Sequence, residues 1–329
     1  MYDIITVGSS TIDVFAQTKF SELIKIMEKK KETDLIAYPI GSKILIKKLE
    51  FTTGGGATNT AVALSRLGYK VACISKMGCG ANAGKIKRHL KRDKVDTSLM
   101  VCDKKGRTGY SIILDSIEHD RTILTFKGSN NDLRFDEINL KKLNAKWFYF
   151  STMIDESFKT LEKLAKFAEK KRIKVAFNAS PYLAEKGIEY SKEILKRTDI
   201  FVLNKEEANL MTKKDKIGDM FKGLGELVPI VVITDGKNGA QAYDGNFIYS
   251  IKSNKVKVVE TTGAGDAFAS SFLSGMIKKN DIGFALLLAR ANAESVIQHH
   301  GAKNKLLTYK EASKIIQNSS KSITKSRLR

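Results

Sequence analysis

The sequence predicts an α/β protein with a doubly wound, mostly parallel sheet flanked by helices and a small additional β-sheet. Two observations predict it. Apolar runs of strand length at 146–151, 173–178, 199–203 and 229–234 are separated by helical stretches at about 155–171, 183–197 and 205–227. Strands alternating with helices of that length build a parallel sheet. Strand-rich pieces near 12–18, 36–52 and 100–127 break the alternation and are expected to form a small separate sheet over one side.

The individual elements follow in order. "YDIITVG" reads as a buried first strand ended by Gly8. "KFSELIKIMEKKK" has apolar residues at 20, 23, 24 and 27 and predicts an amphipathic helix. "SKILIKKLEFT" alternates like a half-exposed strand. "GGGATNTAVALSRLG" passes from glycines into a helix stopped at Gly68, and "YKVACIS" is a further buried strand. "TGYSIILD" and "RTILTFKG" read as strands joined by the turn-like "SIEHD". The helix at 155–171 sets Phe158, Leu161, Leu164, Ala165 and Ala168 on one face. Residues 309–329 read as a helix and a basic tail, and "NSSKSITKSRLR" is expected to fray. We treat 1–329 as a single domain.

Composition bounds the function. With 329 residues and 42% hydrophobic side chains, a sizeable core can be buried. No apolar run approaches the roughly eighteen residues that span a bilayer, and "MYDIITVGSS" lacks the features of a secretory leader. Three cysteines without metal-type spacing predict a reduced, cytoplasmic protein. The net charge of +21 is spread along helices that also carry acids, not gathered into a stripe with interleaved aromatics. This disfavours a nucleic-acid interface while favouring anionic ligands in general.

In an open α/β sheet, ligands bind beyond the carboxyl ends of the strands. "GSSTID" (8–13), "GGGATN" (54–59), "NASP" (178–181), "NKEE" (204–207), "TDGKNGA" (234–240) and "TTGAGD" (261–266) all fall in such positions. After the last of these, Phe268, Phe272 and Met276 recur every four residues, so a helix starts near Ala264 with an apolar face. Its first amides lack intrahelical partners, and glycines let an anion approach them closely. Asp266 is also explicable as an acid favoured in a first turn. No Lys-Ser/Thr follows the glycines, which disfavours a Walker-type nucleotide site.

"TTGAGDAFASSF" and "GGGATNTAVALSRLG" together closely resemble the two signature regions of the ribokinase-like (PfkB-type) carbohydrate kinases, and the resemblance runs from "DIITVGSSTID" to "GAKNKLLT". It implies a Rossmann-like domain with a β-sheet lid and ATP- and Mg²⁺-dependent transfer of a γ-phosphoryl group to a sugar-like hydroxyl. By this resemblance Asp266 is the catalytic base, and the amides of Gly263, Ala264 and Gly265 form the anion hole. Asn204 and Glu207 match an Asn-x-x-Glu motif linked to Mg²⁺ and phosphate, with Glu207 acting on the metal through water; they also read as an N-cap and its capping box. Thr234, Gly236 and Gly239 match the nucleotide loop. Asp13, Gly54, Gly55 and Asn59 match the acceptor side, where a carboxylate can bind two neighbouring hydroxyls. Arg121, on an expected lid strand, is a candidate for an anionic acceptor or a merely solvated side chain.

The chain departs from the family pattern at several points. Glu260 stands where an Asp is common, which leaves a K⁺ requirement open. "GCGANAG" lacks a frequent acid, and "WFYFSTM" lacks the sugar-contacting Glu of ribokinase proper. Residues 19–50 form a long insertion suited to shaping the acceptor pocket or an interface. Nucleoside kinase, pentose-phosphate kinase and ADP as donor are the alternatives of the same fold; a nucleotide-binding regulatory protein is the non-enzyme alternative. The lid is expected to pair with a second copy.

Overall fold

The computed structural model of the chain describes residues 1–18, 22–28, 31–115, 121–317 and 322–328. The turn expected at 116–120 lies outside the described residues. A nine-stranded sheet runs in the order Ile323–Arg327, Phe247–Ile251, Ala240–Tyr243, Ile230–Thr234, Ile200–Asn204, Lys174–Asn178, Ala145–Ser151, Tyr2–Val7, Val71–Ile74. Every pairing from Val71–Ile74 to Ile230–Thr234 is parallel, and the remaining pairings are antiparallel. This is the mixed, mostly parallel sheet that the alternation predicts.

Strand periodicity divides the core into two layers. Ile4, Cys73, Tyr149, Ala176, Val202 and Val232 face the helices Gly56–Arg66, Ala264–Lys279 and Ile282–Ile297. Their sequence neighbours Ile5, Phe148, Phe150, Phe177, Phe201 and Val231 face the helices Asp155–Lys171, Gly187–Leu195, Lys205–Thr212 and Ile217–Gly225. A second, four-stranded sheet has the order Arg121–Phe126, Gly109–Asp115, Thr11–Gln17, Lys48–Gly54. It sits beside the carboxyl edge of the main sheet because Thr11–Gln17 follows directly on the loop that ends the first strand. Asn130 fixes that loop: its Oδ1 accepts from the Ser10 amide at 2.8 Å and its Nδ2 donates to the Ser10 carbonyl at 3.0 Å.

Several expectations are corrected. Residues 22–28 form a strand paired antiparallel with Lys31–Ala37, not an amphipathic helix. Short apolar runs are ambiguous in period, and here pairing with the next segment satisfies the backbone. Of the piece at 36–52, only its two ends are strand, at Lys31–Ala37 and Lys48–Gly54; Val101–Asp103 leaves the small sheet and pairs with Lys76–Gly78. The helix expected at 183–197 is interrupted at Glu185–Lys186, just before Gly187, whose φ is +78°, and that at 205–227 at Lys213, where φ is +56°. The described part of the tail does not fray: Ile323–Arg327 adds an edge strand beside Phe247–Ile251, with Lys325 Nζ 4.0 Å from the centre of the Phe247 ring. Cys79 and Cys102 are joined in a disulfide, which corrects the fully reduced reading, while Cys73 is free and buried. The parallel pairing of Lys76–Gly78 with Val101–Asp103 brings the two Cα atoms to 5.3 Å, a proximity that residue spacing does not reveal. Among the described residues, no helix is long and apolar enough to cross a membrane.

The chain's basic excess is mostly solvated, but Lys76 is 6% exposed. Its Nζ meets Glu137 Oε1 at 2.8 Å and the Asp132 carbonyl at 2.9 Å. Glu137→Ala leaves that buried ammonium without its counter-charge. A loss of roughly 3 kcal/mol is expected, measurable by urea denaturation.

Candidate active site

The helix Ala264–Lys279 begins at Gly263, whose φ of +80° is left-handed and whose Cα lies against Ala302; a Cβ there would come within 2.6 Å of the Ala302 Cα. Both facts require glycine at this turn. The turn presents first-turn amides without intrahelical acceptors, at the positive end of a sixteen-residue helix. The amide of Ala264 donates to the Thr261 carbonyl at 3.2 Å, so it is partly engaged within the turn. Gly265 is exposed, and a Cβ there would meet nothing within 4 Å.

Asp266 sits in the first turn of this helix, and its Oδ2 accepts from Asn59 Nδ2 at 2.8 Å. The two glycine-bearing segments, 207 residues apart, thus meet at one carboxylate. Although its edge is partly exposed, desolvation by the surrounding protein pushes the Asp266 carboxyl up to about 6. The Asn59 bond and the charge of Lys303 act in the opposite direction, and Asp13 adds to the rise.

Asp13 is 7% exposed on the strand Thr11–Gln17. Its Oδ1 accepts from Thr11 Oγ1 at 2.7 Å, and Thr52 and Ser111 are its register partners on either side. Burial raises its carboxyl, and hydrogen bonds from Thr11 and Ser111 and the charge of Lys303 counter this. Gly54 lies against the Asp13 carboxyl so closely that a Cβ would stand 2.6 Å from its Cγ. Gly54→Ala should therefore displace Asp13 and raise the acceptor KM about tenfold or more, the size of a lost charged hydrogen bond. The nucleotide KM should stay within about twofold in the same initial-rate assay. Gly55 precedes the helix Gly56–Arg66 as its N-cap, which sets Asn59 in the first turn facing Asp266.

Asn204 and Thr234 end adjacent parallel strands and are register partners. Asn204 Oδ1 accepts from the Glu207 amide and Glu207 Oε2 from the Asn204 amide, each at 2.8 Å. The capping box is therefore present, and it leaves Glu207 Oε1 and Asn204 Nδ2 outside it. Burial pushes the Glu207 carboxyl up to about 7. Among the described residues, no group of three or more His, Cys, Asp or Glu could hold a metal ion by itself. Gly236 and Gly239 bound the turn after Thr234, closed by the Asp235 amide on the Gly239 carbonyl at 2.8 Å. Asn204 and Thr234 thus stand at the carboxyl ends of neighbouring strands of the main sheet, with the 236–239 turn directly after Thr234. Arg121 opens the edge strand of the small sheet, in register with Asp115.

The structure adds contacts that sequence reasoning passed over. Lys303 donates to the Thr53 carbonyl at 2.6 Å and to Thr53 Oγ1 at 3.0 Å. Glu260 Oε2 accepts from the Gly301 amide at 2.8 Å, with His300 Nδ1 at 3.6 Å, so this acid holds the segment that carries Lys303. Asn59 Oδ1, Tyr149 OH, Ser151 Oγ and Thr262 Oγ1 are buried without a hydrogen-bond partner. Buried polar atoms are usually paired, so such a concentration about one carboxylate marks a place for a polar ligand. A cleft of about 290 Å³ opens beyond Asp13, lined by Phe15, Gln17, Glu50, Val258, Val259 and His300 among others. No composition or spacing signal marks Lys303, Tyr149 or Ser151, because strand packing and a distant loop bring them to the site.

Fold and site define a protein of the ribokinase-like α/β class. Its fold matches a ribokinase of Arabidopsis thaliana complexed with ribose and ATP, with a TM-score of 0.81, 20% identity and coverage of 97% of this chain and 99% of that one. It matches a nucleoside kinase of Methanocaldococcus jannaschii with a TM-score of 0.78, 22% identity and coverage of 96% and 98%. An uncharacterized sugar kinase of Archaeoglobus fulgidus is 30% identical over 74% of this chain and 98% of its own length. A 5-dehydro-2-deoxygluconokinase of Bacillus subtilis is 26% identical over 80% and 86%. The model of the pfkB family of carbohydrate kinases matches residues 22–308, and the chain belongs to that family.

Proposed function

We propose that this kinase transfers the γ-phosphoryl group of ATP to a hydroxyl of a sugar-like acceptor, with Asp266 as the base. The observation that carries this reading is the Asp266 carboxylate, held by Asn59 at the start of a glycine-capped helix and facing the buried Asp13. Asp13 would hold two acceptor hydroxyls, leaving a third directed at Asp266. Asp266 would take that proton as the hydroxyl oxygen attacks phosphorus. The amides of Gly263 and Gly265, with Ala264 on release from Thr261, would stabilise the charge on the transferring group. Thr234, Gly236 and Gly239 would flank the nucleotide.

Mg²⁺ fits this arrangement as a partly hydrated ion. Glu207 Oε1 and Asn204 lie outside a closed cage, and Mg²⁺ ordinarily keeps waters and substrate phosphates as ligands. When bound, it neutralises phosphate charge; Glu207 would orient it through water. A screen of sugars, sugar phosphates and nucleosides with Mg·ATP, read by ADP release and product mass, tests the proposal. Acceptor-dependent ADP release supports it, and its absence across the panel overturns it.

A nucleoside acceptor is the second reading, favoured by one observation. Phe15 lies two residues beyond Asp13 on the same strand face, and with Val258 and Val259 it gives the cleft an apolar wall. A flat base could lie there while its ribose reaches Asp13. The outer face of the small sheet exposes Leu49, Phe51, Ile112, Leu124 and Phe126, which supports pairing with a second copy through that sheet.

A further inference from the structure

We propose that Lys303 is a positioning residue for phosphoryl transfer, a fixed internal cation that keeps the base ionised beside the acceptor-binding carboxylate and ties the small sheet to the phosphate-binding turn. The inference rests on the reading of Asp266 as the base.

Its geometry comes from a three-residue segment in which each residue makes a different attachment. Gly301 donates its amide to Glu260, just before the 261–266 turn. Ala302 fills the space beside Gly263 that a side chain there would occupy. Lys303 then reaches into the protein, and its Nζ is bonded twice to Thr53, next to the Gly54 that abuts Asp13. The segment therefore joins the helix start that carries Asp266 to the strand that supports Asp13.

The charge arithmetic gives the reason for a cation here. Two carboxylates that share a desolvated site raise one another's pKa, and an opposite charge nearby reverses this. Asp13 and Asp266 both feel the charge of Lys303; Asp13 opposes ionisation of Asp266, and Glu260 opposes that of Asp13. Asp13, Asp93, Cys73 and Asp266 act on Lys303; Glu260, His89 and Tyr149 also face this cluster, and Asn59 faces Asp266 as a neutral donor. Burial outweighs these partners and pushes the Lys303 ammonium down to about 8, which leaves it charged at neutral pH. A lysine held by a carbonyl and a hydroxyl of Thr53 is not itself offered to the acceptor. Its action on the reaction passes through Asp266 and Asp13.

The test is the acid limb of kcat/KM together with the ¹³C-carboxyl NMR titration of Asp266, assigned by its loss in Asp266→Asn. Lys303→Met should move both midpoints upward by about one unit or more. Lys303→Arg should restore them, and Thr53→Val, which keeps the charge, should leave the NMR midpoint in place. In the unsubstituted protein, the Asp266 signal should carry a second inflection near pH 8 as Lys303 loses its proton, a reading that needs no variant to fold. Unmoved midpoints in Lys303→Met, or no second inflection, would overturn the proposal. The NMR readout needs no turnover, so a failure of the kinase reading shows separately, as absent phosphoryl transfer or as full activity of Asp266→Asn.

Discussion

Asp266→Asn is expected to lower turnover by at least about a hundredfold, the scale of general-base catalysis, with little change in the nucleotide KM. The amide keeps the shape and can still bond Asn59, but it cannot take the acceptor proton. The loss should not be a folding defect. Burial raises the Asp266 carboxyl from its ordinary value to about 6 in the folded protein. The resulting stabilisation is fully present below the unfolded value near 4 and is lost as pH rises through about 6. At pH 7.5 the native enzyme therefore carries an unfavourable ionised group that the variant lacks. Asp266→Asn should melt at the same or a higher temperature at pH 7.5, with the gap closing as pH falls toward 4. A variant that is inactive and clearly less stable would place the residue in the framework of the fold instead.

Asp13→Ala carries the second large effect. Its carboxylate has two acceptor oxygens in a buried pocket, where Thr11 Oγ1 donates to Oδ1 at 2.7 Å and Ser111 is a further donor. Losing charged hydrogen bonds to a pair of hydroxyls costs about 1.5–3 kcal/mol, or roughly ten- to a hundredfold in kcat/KM for the acceptor. Removing the charge also relieves Asp266 of a repulsive neighbour, so the acid limb should move slightly downward while overall activity falls. A general structural defect would instead change the nucleotide KM as well. Equal kcat/KM for the acceptor in Asp13→Ala and the native enzyme would remove Asp13 from the acceptor site.

The parts of this fold that were legible in the sequence are those with a strong local period. Alternation of strand and helix from 146 to 234 announced the parallel sheet because every strand there is buried on both faces and reads as an apolar run. The segment at 22–28 was not legible: "ELIKIME" satisfies a helical spacing as well as a strand, and only its pairing with Lys31–Ala37 decides. The tail was misread for the same reason, since an edge strand of alternating polar residues carries no hydrophobic signal of its own.

The candidate site shows the same division. Gly263 to Asp266 and Gly54 to Asn59 could be singled out because glycines before a helix are conspicuous, and the structure brings these two segments together through one hydrogen bond. Asp13 was legible from its place after the first strand. Lys303 was not, because one lysine among many in a basic chain has no distinguishing neighbourhood until the loop after Ile282–Ile297 folds back on the small sheet. Tyr149 and Ser151 were read only as strand residues. Their unpartnered oxygens are features of packing, which a linear pattern does not carry.

The most direct measurement of the central claim is product analysis by mass spectrometry after incubation with Mg·ATP and single acceptors. The account predicts one ADP released for each phosphorylated acceptor formed, transfer abolished by EDTA, and at least about a hundredfold slower transfer in Asp266→Asn. Stoichiometric transfer that proceeds undiminished in Asp266→Asn would contradict it.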